Sequence, residues 1–344
     1  MAGVAYYPGC SLRHSAIEFD RSTRIVLESL GIDYEIVKDW TCCGASPAHM
    51  TSHLLAQALA TRNLRQAAKI GEELLAPCPA CYQREKNAEV EVHADADFRA
   101  EVNEIMDEPY TGEVRVWSLP EFLKEKVGVA TLAKLPTTDL SQLKVVPYYG
   151  CLLARPTELT GECDTEQPMI MDQLLAAAGA DVVWWNYKTE CCGASVGVPN
   201  KIIQQRLSEK ILSQAEEAGA DAIVAACPLC HQNLDMRQHQ LNDAMGTSHH
   251  MPVLYLTQVI GLGLGFTPKE MMLDKHLIDP TLVVERAIAK AAEVRAEAEL
   301  KAQEAAEKAR RKAERKKKEA EAKPPAEGPA PATGDEDANV EERE

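Results

Sequence analysis

Ten of the eleven cysteines fall into two copies of one five-cysteine pattern. The first copy is Cys10, then Cys42 and Cys43 before Gly44, then Cys78 and Cys81 in a CxxC. The second is Cys151, then Cys191 and Cys192 before Gly193, then Cys227 and Cys230. From the second cysteine of each CCG to the first of the next CxxC is 35 residues in both copies. Clusters of metal fix ligand spacing more tightly than packing does. Thioredoxin-type exchange uses two cysteines and leaves three per copy unexplained. Zinc and an ordinary cubane cluster each take four ligands and leave one over. Five per copy argues for an unusual iron–sulfur cluster, or for a cubane plus a spare thiol. Adjacent cysteines cannot easily converge on one iron. They can bind neighbouring irons, with Gly44 or Gly193 relieving the backbone. The ferredoxin spacing CxxCxxCxxxCP is absent, so wire-type cubanes are not expected in this chain.

The bulk composition agrees with an iron–sulfur reading and excludes others. The 344 residues leave room for two domains, and 45% are apolar. A net charge of −16 argues against a nucleic-acid partner. No basic segment followed by an apolar run opens the chain, so no signal peptide is expected. The longest apolar stretch, Pro252 to Phe266, is interrupted by Thr257 and Gln258. It also falls short of the roughly 18–20 residues a membrane helix needs. The expectation is a soluble cytoplasmic protein. There disulfides are rare, and an odd cysteine count favours metal ligation.

The flanks repeat along with the cysteines. Tyr6 to Cys10 resembles Tyr148 to Cys151, and Leu27 to Val37 matches Leu175 to Trp185. The offset is 141 at the first cysteine and 149 at the CCG and CxxC, so copy two carries an insertion before its CCG. Cys163 lies in that region without a counterpart and reads as a free thiol. Each copy alternates strand and helix signals. Strands are expected at Val4–Tyr7, before each CCG, at Glu73–Ala76, at Val145–Tyr149 and at Ala220–Ala226. Helices are expected at Ala16–Leu30, Leu54–Leu64, Pro168–Ala178 and Lys201–Ala218. The fold class is therefore α/β, with two pseudo-symmetric open-sheet modules over 1–135 and 144–270. Several cysteines would follow strand carboxyl ends, where such sheets place ligands. Pro79 and Pro228 suit helix starts, whose N–H groups favour an anionic cluster. Residues 129–143 read as the linker. Residues 281–344 read as a charged helical extension to about Ala322 and an acidic disordered tail. Within the helix, Leu282, Val283, Ile288, Val294 and Leu300 can form one apolar stripe.

Other side chains are weaker candidates. Arg13 and Arg155 follow the first cysteines and could hold a substrate carboxylate or phosphate, against a plain surface charge. His231 follows Cys230 and could give a proton to a departing thiolate, against a histidine that only supports the site. Trp40, Trp184 and Trp185 precede the CCG motifs and read as packing around the clusters.

Taken together, the repeated Cys10, Cys42-Cys43-Gly44, Cys78-x-x-Cys81 and Cys151, Cys191-Cys192-Gly193, Cys227-x-x-Cys230 resemble the tandem CCG domain of the heterodisulfide reductase B-subunit family. The match spans about residues 2–268. Related CCG domains occur in glycolate oxidase, lactate utilisation, anaerobic glycerol-3-phosphate dehydrogenase and thiol:fumarate reductase proteins. Many of those carry a fused ferredoxin module that this chain lacks. The resemblance implies that each five-cysteine set ligates one noncubane 4Fe–4S cluster and that the two clusters face each other across the module boundary. It implies a small-molecule disulfide held between them and cleaved reductively, or formed in reverse. It implies partners: a ferredoxin-like C subunit with two 4Fe–4S cubanes, a flavin-containing A subunit, and in some complexes a hydrogenase or dehydrogenase component. The other class to weigh is an electron-transfer protein of such a complex without substrate chemistry of its own.

Overall fold

The computed structural model describes residues 3–45 and 48–321; the side chains of 316, 317 and 319–321 are not described. Two four-stranded sheets form, both wholly parallel. The first comprises β1 (Val4–Tyr6), β2 (Tyr34–Ile36), β3 (Glu73–Ala76) and β4 (Arg115–Ser118), in the order β2-β1-β3-β4. The second comprises β5 (Lys144–Tyr148), β6 (Asp181–Val182), β7 (Ala222–Ala225) and β8 (Val253–Tyr255), in the order β6-β5-β7-β8. The same strand order recurs, as the cysteine repeat requires. β7 is buried along its whole length and β3 over three of its four residues, as expected of central strands covered on both faces. The described residues up to Ala292 form one compact unit, and those from Glu293 onward a second.

Local signals set the helix starts. Ser52 accepts a hydrogen bond from Leu55 N at 3.3 Å and opens His53–Ala68. Asn200 accepts from Ile203 N at 3.1 Å and opens Lys201–Glu217. Pro79 and Pro228 stand at the first turns of Pro79–Ala94 and Pro228–His231, where a missing N–H costs nothing.

The two sheets share an apolar core through crossed helix contacts. Helix Ile17–Ser29, which follows β1, packs on Leu256–Gly263, which follows β8. Reciprocally, Ile170–Ala177 packs on Leu119–Phe122, which follows β4. Phe19, Val26 and Leu27 thus join Leu256, Val259 and Ile260 in one buried cluster.

Three details depart from the sequence reading. The connection 129–143 is part of the core. Its leucines 132, 140 and 143 are fully buried, and Thr137 N and Thr138 N donate to Gly263 O at 2.9 and 3.1 Å. The charged extension is helical over Thr281–Glu321, but its buried residues are Val284, Ala287 and Ala291. Of the expected stripe, Val283 and Ile288 are half-buried against the core, while Leu282, Val294 and Leu300 are exposed; the buried line runs at i, i+3 and i+7, and Leu282 lies on the other face of the helix. Trp184 is also exposed. Trp185 is buried and donates to Pro147 O at 2.9 Å, while Trp40 is half-buried and packs edge-on against Tyr7. Glu307 and Arg311 pair at 2.7 Å on the solvated helix. The acidic tail after Ala322 lies outside the described residues. Among the described residues no helix is long and apolar enough to cross a membrane.

Candidate metal centre

Loops and helix starts carry each set of cysteines to the carboxyl edge of its own sheet. Cys78 and Cys227 follow β3 and β7 by two residues and cap the helices that begin at Pro79 and Pro228. A hydrogen bond from Cys81, and then the backbone N–H groups of Cys81 and Ala80, lower the Cys78 thiol against its burial. Cys10 and Cys151 follow β1 and β5. Their turns pass close to the CxxC sulfurs: an ideal Cβ on Gly9 would lie 2.9 Å from Cys81 Sγ, and one on Gly150 would lie 3.0 Å from Cys230 Sγ. The CCG turns are pinned by two equivalent tyrosines. Tyr7 donates to Thr41 O at 2.6 Å, and Tyr148 donates to Glu190 O at 2.6 Å.

The sulfurs of the first set form one connected chain, and those of the second a pair and a trio side by side. Cys43 Sγ lies 3.4 Å from Cys81 Sγ, and Cys192 Sγ lies 3.6 Å from Cys230 Sγ. Cys10 reaches Cys42, Cys42 reaches Cys43, and Cys78 reaches Cys81. In the second set Cys151 reaches Cys191, and Cys227 reaches Cys230. Crowding splits the thiols. A hydrogen bond from Cys42, then one from Cys81, brings Cys43 down to about 6. A hydrogen bond from Cys151 brings Cys191 down to about 6. Cys81 and Cys230 are pushed well up by donating to Cys43 and Cys192 respectively. Five thiolates cannot coexist at this spacing without a cation, so the set fits a metal cluster that displaces the protons.

Polar side chains around the sulfurs differ between the copies. Glu85 is fully buried beside the first set and accepts from Asn63 Nδ2 at 2.9 Å. Burial, and then the charge of Cys42, raise its carboxyl well above the usual range. Beside the second set stands Asn233, donating to Cys192 O at 3.0 Å and toward Cys192 Sγ at 3.6 Å. Sequence reasoning missed both. The available signal was helical spacing, since Glu85 is four residues after Cys81 and Asn233 three after Cys230.

The two sets approach a common seam. Tyr255, at the end of β8, is wholly buried there, stacked on Phe19 of the first module and on His231, the neighbour of Cys230, of the second. Gln83, two residues after Cys81, donates to Leu152 O and Arg155 O in the loop after Cys151, at 2.8 and 2.9 Å. The first CxxC helix therefore holds the first-cysteine loop of the second copy.

The remaining candidates are placed as follows. Cys163 is exposed, 3.9 Å from Gly161 O. Arg13 is exposed. Arg155 is engaged: it pairs with Glu166 and donates to Thr165 O at 3.1 Å and Thr189 Oγ1 at 3.2 Å. His231 is buried, with Nε2 2.8 Å from His276 Nδ1 and 3.0 Å from Val253 O. Burial, then His276, hold its pKa well below the usual value, so the ring is neutral near pH 7.

Known proteins are similar to this chain over most of its length. The cysteine-rich CCG domain family matches residues 4–84 and again 145–235. The chain is 33% identical over 285 residues to the B subunit of the ferredoxin/F(420)H(2)-dependent CoB-CoM heterodisulfide reductase of Methanosarcina acetivorans, covering 81% of this chain and 94% of that one. It is 31% identical over 280 residues to the 8-methylmenaquinol:fumarate reductase membrane anchor subunit of Wolinella succinogenes, covering 80% and 97%. A solved hypothetical protein from Helicobacter pylori shares the fold at a TM-score of 0.65 and 12% identity, over 81% of this chain and 52% of that one. With two matched cysteine-rich domains, two sheets of one strand order and this similarity along most of its length, the chain belongs to the heterodisulfide reductase B-subunit family.

Proposed function

We propose that this chain is the disulfide-cleaving component of a heterodisulfide reductase-type complex. Cys10, Cys42, Cys43, Cys78 and Cys81 would hold one noncubane 4Fe–4S cluster. Cys151, Cys191, Cys192, Cys227 and Cys230 would hold a second. The observation that carries the reading is the gathering of the cysteines at the carboxyl edges of two like sheets, with the first CxxC helix bound through Gln83 to the loop after Cys151. When bound, the clusters supply electrons and thiophilic iron on either side of one S–S bond. The balance is two electrons and two protons taken up, and two thiols released. The chain's own part would be to hold ten sulfurs, six of them away from water, and to fix the spacing between the two sets. Cys43, Cys78, Cys81, Cys192, Cys227 and Cys230 are all buried, which excludes competing water from most of the ligand set.

The electrons come from outside, from a ferredoxin-like C subunit with two cubanes and a flavin-containing A subunit, in the cytoplasm. Replacing Cys43 or Cys192 by Ala tests the mechanism. Each variant should lose one cluster and all disulfide cleavage with a reduced viologen donor, because one S–S bond presents two sulfurs. A second reading has specific support in the fumarate reductase relative: the clusters pass electrons onward without substrate chemistry. Near-normal disulfide turnover in either variant, with its cluster shown absent, would refute the two-cluster mechanism, and an iron-replete parent that cleaves no disulfide would move the assignment to that relay.

A further inference from the structure

The pseudo-symmetry of the two modules breaks at one place. Ser118 of β4 pairs with Ala76 of β3, and Tyr255 of β8 pairs with Ala225 of β7. Ala76 and Ala225 each precede the first CxxC cysteine by two residues, so Ser118 and Tyr255 hold equivalent positions. Likewise Tyr82 follows Cys81 where His231 follows Cys230. On the second-module side these positions are filled. Tyr255 stacks on Phe19 at 4.3 Å and on His231 at 4.4 Å, and Ser22 and Thr257 share a hydrogen bond of 2.8 Å. That seam is closed.

On the first-module side, the same positions are buried but face a cavity. Ser118 and Tyr82 line a cavity of about 410 Å³. Its other walls include Pro120 and Ile170, which occupy the places of Thr257 and Ser22 in the repeat. A serine where the other copy has a stacked tyrosine leaves room of the size small-molecule sites use, on the order of 300–1,000 Å³. Both modules contribute, and the cavity lies beside the first CxxC helix and the loop after Cys151. Its rim carries Glu121, Glu125 and Glu162 against Lys124. Arg115 lies 3.6 Å from Glu121, so three carboxylates meet two cations and one negative charge is left over at the rim.

We propose that this cavity holds the organic tail of the disulfide substrate and selects a cationic or uncharged tail over an anionic one. The proposal rests on the disulfide reading above. A sulfonate or phosphate entering here would shed water against like charge, whereas an ammonium or hydroxyl would meet carboxylate acceptors. The chemistry is unchanged: the S–S bond takes two electrons from the partner proteins and two protons from solvent and leaves as two thiols.

The test uses the full chain, purified anaerobically with its clusters and kept oxidised, in a Cys163→Ser background so that the exposed thiol at the rim cannot exchange. Calorimetry compares cystamine, a dication, with bis(2-sulfoethyl) disulfide, a dianion. Cystamine should bind at least about tenfold more tightly, a difference of about 1.4 kcal/mol. Glu125→Gln with Glu162→Gln should bring the two within about threefold. Ser118→Tyr, which copies the closed seam, should abolish cystamine binding while iron content stays at the parent level. Equal or tighter binding of the sulfonate, no binding of either disulfide, a preference that survives the double substitution, or full binding by an iron-replete Ser118→Tyr protein each overturns the proposal. A separate assay with reduced viologen keeps the two readings apart. Binding with the expected preference but no cleavage of any disulfide would sink the catalytic reading and leave the binding site standing.

Discussion

Gly9 lies against Cys81 so closely that an ideal Cβ would come 2.9 Å from its sulfur. Its φ is +61°, a conformation other residues adopt at a cost of about 1–3 kcal/mol. Gly150 and Cys230 repeat the relationship, at 3.0 Å and +64°. Gly9→Ala should therefore cost the first cluster and spare the second, halving bound iron. Gly150→Ala should do the converse. Iron determination beside a thermal melt checks this, and full iron in both variants would show that the turns do not govern ligand placement.

Lys188 is wholly buried, and its ammonium lies 2.7 Å from Asp172 Oδ1. Asp172 also accepts from Tyr149 OH at 2.8 Å, and Lys188 O accepts from Tyr149 N and Gly150 N at 2.8 and 3.1 Å. The pair thus braces the turn that presents Cys151. Lys188→Met leaves an uncompensated buried carboxylate and should destabilise the protein by about 3–5 kcal/mol. Lys188→Met combined with Asp172→Asn should recover much of that loss, because no charge is then left unpaired. Denaturant unfolding of the three variants reads the comparison.

His276 is buried against His231, and burial lowers its imidazole to about 4. The unfolded chain, near 6.5, binds more protons between these values, so stability is complete above about pH 6.5 and declines as pH falls toward 4. Asp235 acts in the opposite sense: burial raises it to about 6, so its contribution weakens as pH rises. His276→Gln removes the first effect. The stability lost between pH 7 and pH 5 should shrink by roughly 2 kcal/mol in that variant. An unchanged or steeper loss would contradict a neutral buried pair.

Most of the fold was legible in local pattern. The parallel α/β order follows from apolar runs such as Ala222–Ala225 alternating with capped helices, and these signals lie within a few residues of one another. What escaped depends on contacts between distant segments. The leucines at 132, 140 and 143 read as linker because the Pro and Thr residues among them look like a loop. Only the packed core shows that they belong to it. Trp184 and Trp185 are neighbours with opposite fates, which no single-residue preference separates. Around the sulfurs, the five-fold spacing was readable because the cysteines repeat in register. Glu85, Asn233 and the cavity at Ser118 were not, since they mark where the two copies differ.

The charged extension offers a simpler check. Residues 301–315 are exposed throughout. Deleting 301–344 should leave iron content and melting temperature near the parent values, with any loss confined to complex assembly. A shortfall in iron would mean that this segment packs on the cysteine modules.

The most direct measurement is metal content. Anaerobically prepared protein should hold about eight iron and about eight sulfide per chain, as two 4Fe–4S clusters require. Cys43→Ala and Cys192→Ala should each fall to about half of that, while Cys163→Ser keeps the full complement. Stoichiometric zinc without iron, or loss of all iron on removing one cysteine of either set, would contradict two independent five-cysteine centres.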